Sequence, residues 1–515
     1  MSSRPHRLSL FAALSAPLLL AGCFSESPPE STADASEGDD ARISVAMLQP
    51  PRSGLTPLSD DAFKLSRWST AETLIRLDAS NDPQPFLATE WSQLDDHTWR
   101  FEIRDDVVFH DGTPLTAADV AHSLTFATQA APKPRILDGV TMSVETVEGE
   151  NAIIVRTEKV DPLIPNRLSS PQLAILAASA YGEDGRVNPI EAGTGPFVLK
   201  EINGTTSARL DRFDDYWGTP AHLAGIDADY VPDGTARAAS LRTGAADVVE
   251  AIPVSQVALL DPALVFEVPM PRTNTLYLNS ASGPMSDPGL RAAARDAIDR
   301  SAIVNTVYEG RADIAEGLLG PALAWASDYR TPIENPTPAS DPNGTDITLA
   351  TFTDRAELPE VAILLAQQLT QAGFNVSQEV REYAHIEADA LAGEFDAFIL
   401  SRATVLDSGD PVAYMFSDFT CAGSFNIAQL CDPAVDEALD KAALLPTGEA
   451  RRQAIIDAEA AILRTDAAIP MLHERVIQGE SARVVDAERD PRERRLITEK
   501  TAIDTASNTA SDAQE

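Results

Sequence analysis

Apolar and polar residues alternate along Trp99-Arg100-Phe101-Glu102-Ile103-Arg104, the period-two pattern of a strand with one buried face. Downstream, Thr116-Ala117-Ala118-Asp119 sets a hydroxyl and a carboxylate three residues apart ahead of Val120, Leu124 and Ala127, a capping-box variant that predicts a helix. Phe197 to Ile202 and Ser207 to Phe213 flank Asn203-Gly204, the dipeptide of a tight hairpin turn. The second half of the chain is more regular. Ile347 to Phe352 reads as a strand, and Leu358 to Ala372 as a helix with Val361, Leu364, Leu365 and Leu369 on one face, stopped by Gly373. Phe374 to Val380 and Phe395 to Leu400 read as further strands. Asp287-Pro288 and Asp432-Pro433 each pair an N-cap with a proline suited to the first helical position, and Glu449 to Leu463 is amphipathic. Strands alternating with helices predict an α/β fold in which helices cover a sheet. No short internal repeat is present.

The ends of the chain follow different rules. Arg4 and Arg7 precede an apolar run from Leu8 to Leu20, too short and too early to span a membrane and suited to an export signal over residues 1–22. The run ends in Leu20-Ala21-Gly22-Cys23, which resembles the lipobox of bacterial lipoproteins and implies lipid on Cys23; cleavage of an ordinary signal peptide near Ala21 or Gly22 is the alternative. Residues 23–41 are acidic, small and proline-containing, the composition of a flexible tether, and residues 506–515 are expected to fray. The remainder is long enough for two or three cores. Of the three cysteines, only Cys421 and Cys431 remain after Cys23, and an exported chain is expected to pair them as a disulfide. A net charge of −39 argues against nucleic acid and anionic membrane surfaces as partners.

Four ordered blocks carry a resemblance. Leu87-Ala88-Thr89-Glu90-Trp91 through Phe109-His110-Asp111-Gly112-Thr113-Pro114 to Val120 is similar to the signature of the family 5 extracytoplasmic solute-binding proteins. Gly193-Thr194-Gly195-Pro196-Phe197 with Asp215-Tyr216-Trp217-Gly218, Leu276-Tyr277-Leu278-Asn279, and Asp407-Ser408-Gly409-Asp410-Pro411 agree in order and spacing. The resemblance implies a two-lobed periplasmic-binding-protein type II fold with an extra subdomain in the first lobe. Lobe 1 is expected over residues 42–272, lobe 2 over 273–472, and a return to lobe 1 over 473–505, with crossings near Val268 to Tyr277 and Ile469 to Gly479. It also implies a monomeric, lipid-anchored, extracytoplasmic protein that hands its solute to ABC permease subunits driven by ATPases.

The chemistry of the ligand rests on three residues. Arg402 and Asp407 leave the carboxyl end of the Phe395 to Leu400 strand, where open α/β sheets bind ligands. Peptide binders of the family carry an aspartate at the place of Asp407 to hold an α-ammonium group, yet the Gly-Trp that usually precedes it is replaced here by Ser401-Arg402-Ala403-Thr404. A guanidinium binds a carboxylate through two parallel hydrogen bonds, so Arg402 points to a carboxylate-bearing solute. Arg135 lies at an offset where nickel and chelate binders of the family present an arginine from the first lobe. The implied solute is an opine-type metallophore, a nickel chelate or a short peptide; plain di- or oligopeptide uptake, an exported hydrolase and a peptide-sensing receptor are the alternatives. His110-Asp111 is expected to be a structural turn. No two histidines fall at metal-ligand spacing on one helix, and no nucleophile elbow, phosphate loop or dinucleotide fingerprint occurs, so neither a protein-held metal nor a cofactor is expected.

Overall fold

A computed structural model describes residues 41–334, 336–355, 357–405 and 408–504. The export signal, Cys23, the fraying tail and Asp407 lie outside these residues.

Among the described residues, one eleven-stranded sheet runs through the protein. At one end Asp346–Phe352 pairs in parallel with both Asn375–Arg381 and Ala397–Ala403. At the other, Arg42–Met47 pairs in parallel with Gly225–Tyr230 and Val248–Val249, and the sheet continues through the Phe197–Asn203 and Ser207–Arg212 hairpin. The two ends are joined by long antiparallel strands, Val265–Leu278 and Ala468–Glu480. Their register breaks between Pro269 and Thr273, so the ladder bends where the chain passes from one end to the other.

Each end has its own core. The first takes in side chains from Ile43 to Val248 and is rejoined by Leu496, Ile497 and Ile503. The second runs from Leu276 to Leu472. A smaller cluster around Leu241, Val249, Ile252 and Ile477 sits beside the first. A separate four-stranded antiparallel sheet, ordered Ala88–Asp95, Thr98–Ile103, Ala152–Thr157 and Met142–Thr146, forms the extra subdomain, with helix Ala117–Gln129 packed on it.

Local chemistry explains most element boundaries. Thr116 Oγ1 accepts from the Asp119 amide while Asp119 returns a bond to the Thr116 amide, closing the capping box that opens helix Ala117–Gln129. Asp287 and Asp432 cap helices Pro288–Ala297 and Pro433–Ala443, with proline at the first helical position, where its missing amide costs nothing. Gly204 turns the hairpin at φ +56°, a conformation that a Cβ atom would strain.

Candidate functional site

The parallel strands of the second lobe all end at one edge, which puts the segments after them side by side: Arg355 follows Phe352, and Arg402 lies in the last turn of pleat before Ala403. Arg402 is anchored from behind. Its Nε and Nη2 donate to Asp418 Oδ2 and Oδ1 at 2.8 and 2.7 Å, and the guanidinium lies 4.3 Å from the Phe425 ring centroid. Asp418 is fully buried on helix Val412–Phe419. Burial opposes charge on Arg402, but the Asp418 carboxylate more than offsets it and holds the guanidinium above its usual value. The Nε and Nη2 edge of Arg402 is therefore occupied by Asp418 in this conformation, and a ligand carboxylate would have to meet the Nη1 side.

Arg135 opens a short 3-10 turn, Arg135–Leu137, and its half-exposed side chain lies 3.3 Å from Asp60. Cys421 and Cys431 are joined as a disulfide with Cα atoms 4.3 Å apart, in the loop between helices Val412–Phe419 and Pro433–Ala443. Among the described residues no group of three or more His, Cys, Asp and Glu side chains could hold a metal, and no helix is long and apolar enough to cross a membrane.

The lobes meet again beside this edge through polar groups. Asn166 Nδ2 donates to Ser408 O at 3.4 Å, Thr447 Oγ1 donates to Asn166 Oδ1 at 3.0 Å, and Arg452 Nη2 lies 2.6 Å from Asp82 Oδ2. A polar contact of this kind exchanges readily for water, so the two paired strands can act as a hinge.

Sequence reading missed two residues of this region. Arg355 reaches back to Glu474 on the second crossing strand, Nη1 to Oε2 at 2.9 Å. Arg272, on the first crossing strand, is half-buried among Arg355, Glu493, Glu474 and Arg402, and its Nε is buried without a partner. Met270-Pro271-Arg272 gives no local signal of this; only the turn of the sheet brings these charges together.

The blocks behind the resemblance converge elsewhere, on a side chain that sequence reading also missed. Glu72 is buried in the first lobe and accepts from Thr194 Oγ1 at 2.8 Å, Tyr216 OH at 2.9 Å and Trp217 Nε1 at 2.9 Å. Burial pushes its carboxyl up to about 7 against the pull of these donors. A Cβ on Gly193 or Gly195 would stand 1.9 Å from the carbonyl oxygen of Thr70 or Ser69, so both positions require glycine to bring Thr194 against Glu72. His110 belongs to the same framework. Its Nε2 lies 2.8 Å from Gly195 O, its amide donates to Gly193 O, and burial pushes its imidazole down to about 4.

The model of the bacterial extracellular solute-binding proteins, family 5 Middle, matches residues 82–426. The chain belongs to this family. Its curated relatives include the glutathione-binding protein GsiB of Escherichia coli O1:K1, 29% identical over 329 residues that make up 58% of this chain and 62% of the relative. The match thus spans less than two thirds of that relative's length. Two solved structures share the fold at greater reach. NikA from Brucella suis in complex with Fe(III)-EDTA superposes with a TM-score of 0.77 at 21% identity, covering 90% of this chain and 100% of that one. DppA from Helicobacter pylori in complex with the peptide STSA superposes with a TM-score of 0.70 at 20% identity, covering 91% and 99%. The two-lobed α/β architecture of the family 5 chain, with its extra subdomain, is common to these type II binding proteins.

Proposed function

We propose that this chain is the capture component of an ABC importer and closes its two lobes on a small carboxylate-bearing solute. The observation that carries the reading is the hinge itself: two cores, two long paired strands between them, and polar lobe-to-lobe contacts from Asp82 and Asn166 to Arg452, Thr447 and Ser408. Closure of such lobes expels water from the solute and creates a surface that differs from the open form, which a permease can recognise. Glutathione, Fe(III)-EDTA and the peptide STSA, the ligands named for the relatives, differ in size and metal content, but each carries carboxylates. Arg355, Arg402 and Arg135 are the candidate groups for such a solute, each of which would share or exchange the carboxylate it now holds, Glu474, Asp418 or Asp60. Asp407, five residues after Arg402 in the sequence, would supply a carboxylate for an ammonium group. A metal, where one is carried, arrives inside its chelate as cargo.

Lipid on Cys23 would hold the mature chain at the membrane, as Leu20-Ala21-Gly22-Cys23 implies. Intact-mass analysis of membrane-extracted protein tests this. For the binding reading, titration calorimetry with glutathione, a dipeptide set and nickel bound to histidine is expected to give one-to-one binding without turnover. Hydrolysis of a supplied peptide would move the assignment to an exported hydrolase.

A further inference from the structure

The floor of the hinge contains a buried polar group for every kind of hydrogen bond and no internal partner for several of them. Arg272 stands opposite Ala403, and Asn274 opposite Ser401, in the antiparallel pairing of the first crossing strand with Ala397–Ala403. Residues two apart on a strand, and their direct cross-strand neighbours, share a face. Arg272 Nε, Asn274 Oδ1 and Ser401 Oγ are therefore on one face, and all three are buried and unpartnered. Asn274 is fully buried and Ser401 nearly so. The Asn274 amide nitrogen is fixed by donation to the Tyr308 hydroxyl at 2.9 Å, which directs its oxygen away from that partner.

Among the described residues no carboxylate forms an ion pair with Arg272, in a chain with 79 acidic and 40 basic residues, although Glu493 and Glu474 attract it from further off. The two carboxylates that act on it are each engaged by another arginine. Glu493 is engaged by Arg67 at 3.3 Å and Glu474 by Arg355 at 2.9 Å. Burial pushes the Arg272 guanidinium below its usual value, and Arg355 adds to that. A fold normally satisfies its buried donors, and one left open, such as Arg272 Nε, calls for a partner from outside the chain. Ala403, opposite, brings no bulk of its own to fill the space.

We infer that Arg272, with Ser401 and Asn274 beside it, is the anion receptor at the hinge of the proposed solute cleft and takes a carboxylate of the bound solute. This rests on the reading of the protein as a solute-binding component and deepens it. The solute then carries at least one carboxylate directed at the crossing strands, and the Ser401 hydroxyl supplies a second donor to it. Asn274 Oδ1 can accept only from a donor, so it faces an N–H or O–H of the same solute. Because the receptor lies on the crossing strand, a carboxylate bound there ties the solute to the element about which the lobes turn.

The test uses the full mature chain and two probes, glutathione and citrate, with Arg272→Gln and Arg272→Lys. Glutathione binding by calorimetry is expected to weaken at least tenfold in Arg272→Gln and to recover in part in Arg272→Lys. Citrate, compared with chloride at matched ionic strength, is expected to raise the melting temperature of the unsubstituted protein and to leave that of Arg272→Gln unmoved. If glutathione binds both proteins equally, the receptor is refuted and the solute-binding reading stands. If glutathione fails to bind but citrate stabilises only the unsubstituted protein, the receptor stands and the peptide-like solute class falls. If neither probe distinguishes the two proteins, Arg272 is not an anion receptor.

Discussion

Glu72 is a buried charged side chain and Arg272 a half-buried one whose Nε is enclosed, and the protein treats them in opposite ways. Around Glu72 three donors from two separate segments close on both carboxylate oxygens, and the glycines that allow this approach could not be anything else. Around Arg272 the two carboxylates that act on it, Glu493 and Glu474, are engaged by other arginines, and its Nε has no acceptor. A satisfied buried charge holds architecture in place, since removing it orphans its partners. An unsatisfied one burdens the empty protein and can be relieved only by something that arrives. The contrast separates the part of the molecule that must be rigid from the part that must receive.

The largest effect is expected at the satisfied site. Glu72→Leu strips the Thr194, Tyr216 and Trp217 donors of their acceptor, at about 1–3 kcal/mol each, so the variant should lose on the order of 5 kcal/mol in denaturant unfolding. Arg402→Ala should cost about 3–5 kcal/mol because it leaves Asp418 buried without its partner. Combining it with Asp418→Asn should restore part of that loss in a double-mutant cycle. A full loss of ligand affinity with unchanged stability in Arg402→Ala would instead make this arginine a ligand group and blur the contrast.

The pH dependence sharpens the comparison further. The Glu72 carboxyl titrates near 7 when folded, above its ordinary value of 4.5, so the folded state holds the proton more tightly. Its contribution to stability is complete below about pH 4.5 and is lost as the pH rises to about 7, a decline of up to about 3 kcal/mol. In Glu72→Gln that part of the slope should vanish, while the slope due to the remaining acidic groups persists. Equal slopes in both proteins would mean that Glu72 is not held in this way.

Local chemistry was legible in the sequence, and long-range pairing was not. Thr116 with Asp119, Asp287-Pro288, Asp432-Pro433 and Asn203-Gly204 act within a few residues of themselves, and the elements they open or turn are where their spacing puts them. The α/β class followed from strands alternating with helices, and the two-lobed fold from the resemblance carried by the ordered blocks. The residue on which those blocks converge did not, because Glu72 lies more than a hundred residues from Thr194 in the chain. Arg402 could be placed at the sheet edge from the strand before it, but its bond to Asp418 depends on how helix Val412–Phe419 folds back. Arg272 offered no signal at all, since a missing partner is a property of the assembled neighbourhood. Of the residues put forward from sequence, Asp407 and Cys23 lie outside the described residues, and Arg135 and Arg402 face carboxylates of their own lobes.

The most direct measurement is the thermal unfolding of ligand-free Arg272→Gln beside the unsubstituted protein and Glu72→Leu. Replacing a half-buried guanidinium whose Nε is unsatisfied with a neutral amide removes a desolvation cost and breaks no internal hydrogen bond. The account predicts a melting temperature equal to or higher than that of the unsubstituted protein, corresponding to roughly 0–1 kcal/mol of stability, while Glu72→Leu falls sharply. A fall in Arg272→Gln comparable to that of Glu72→Leu would show that the hinge arginine supports the fold, and would contradict its reservation for a solute.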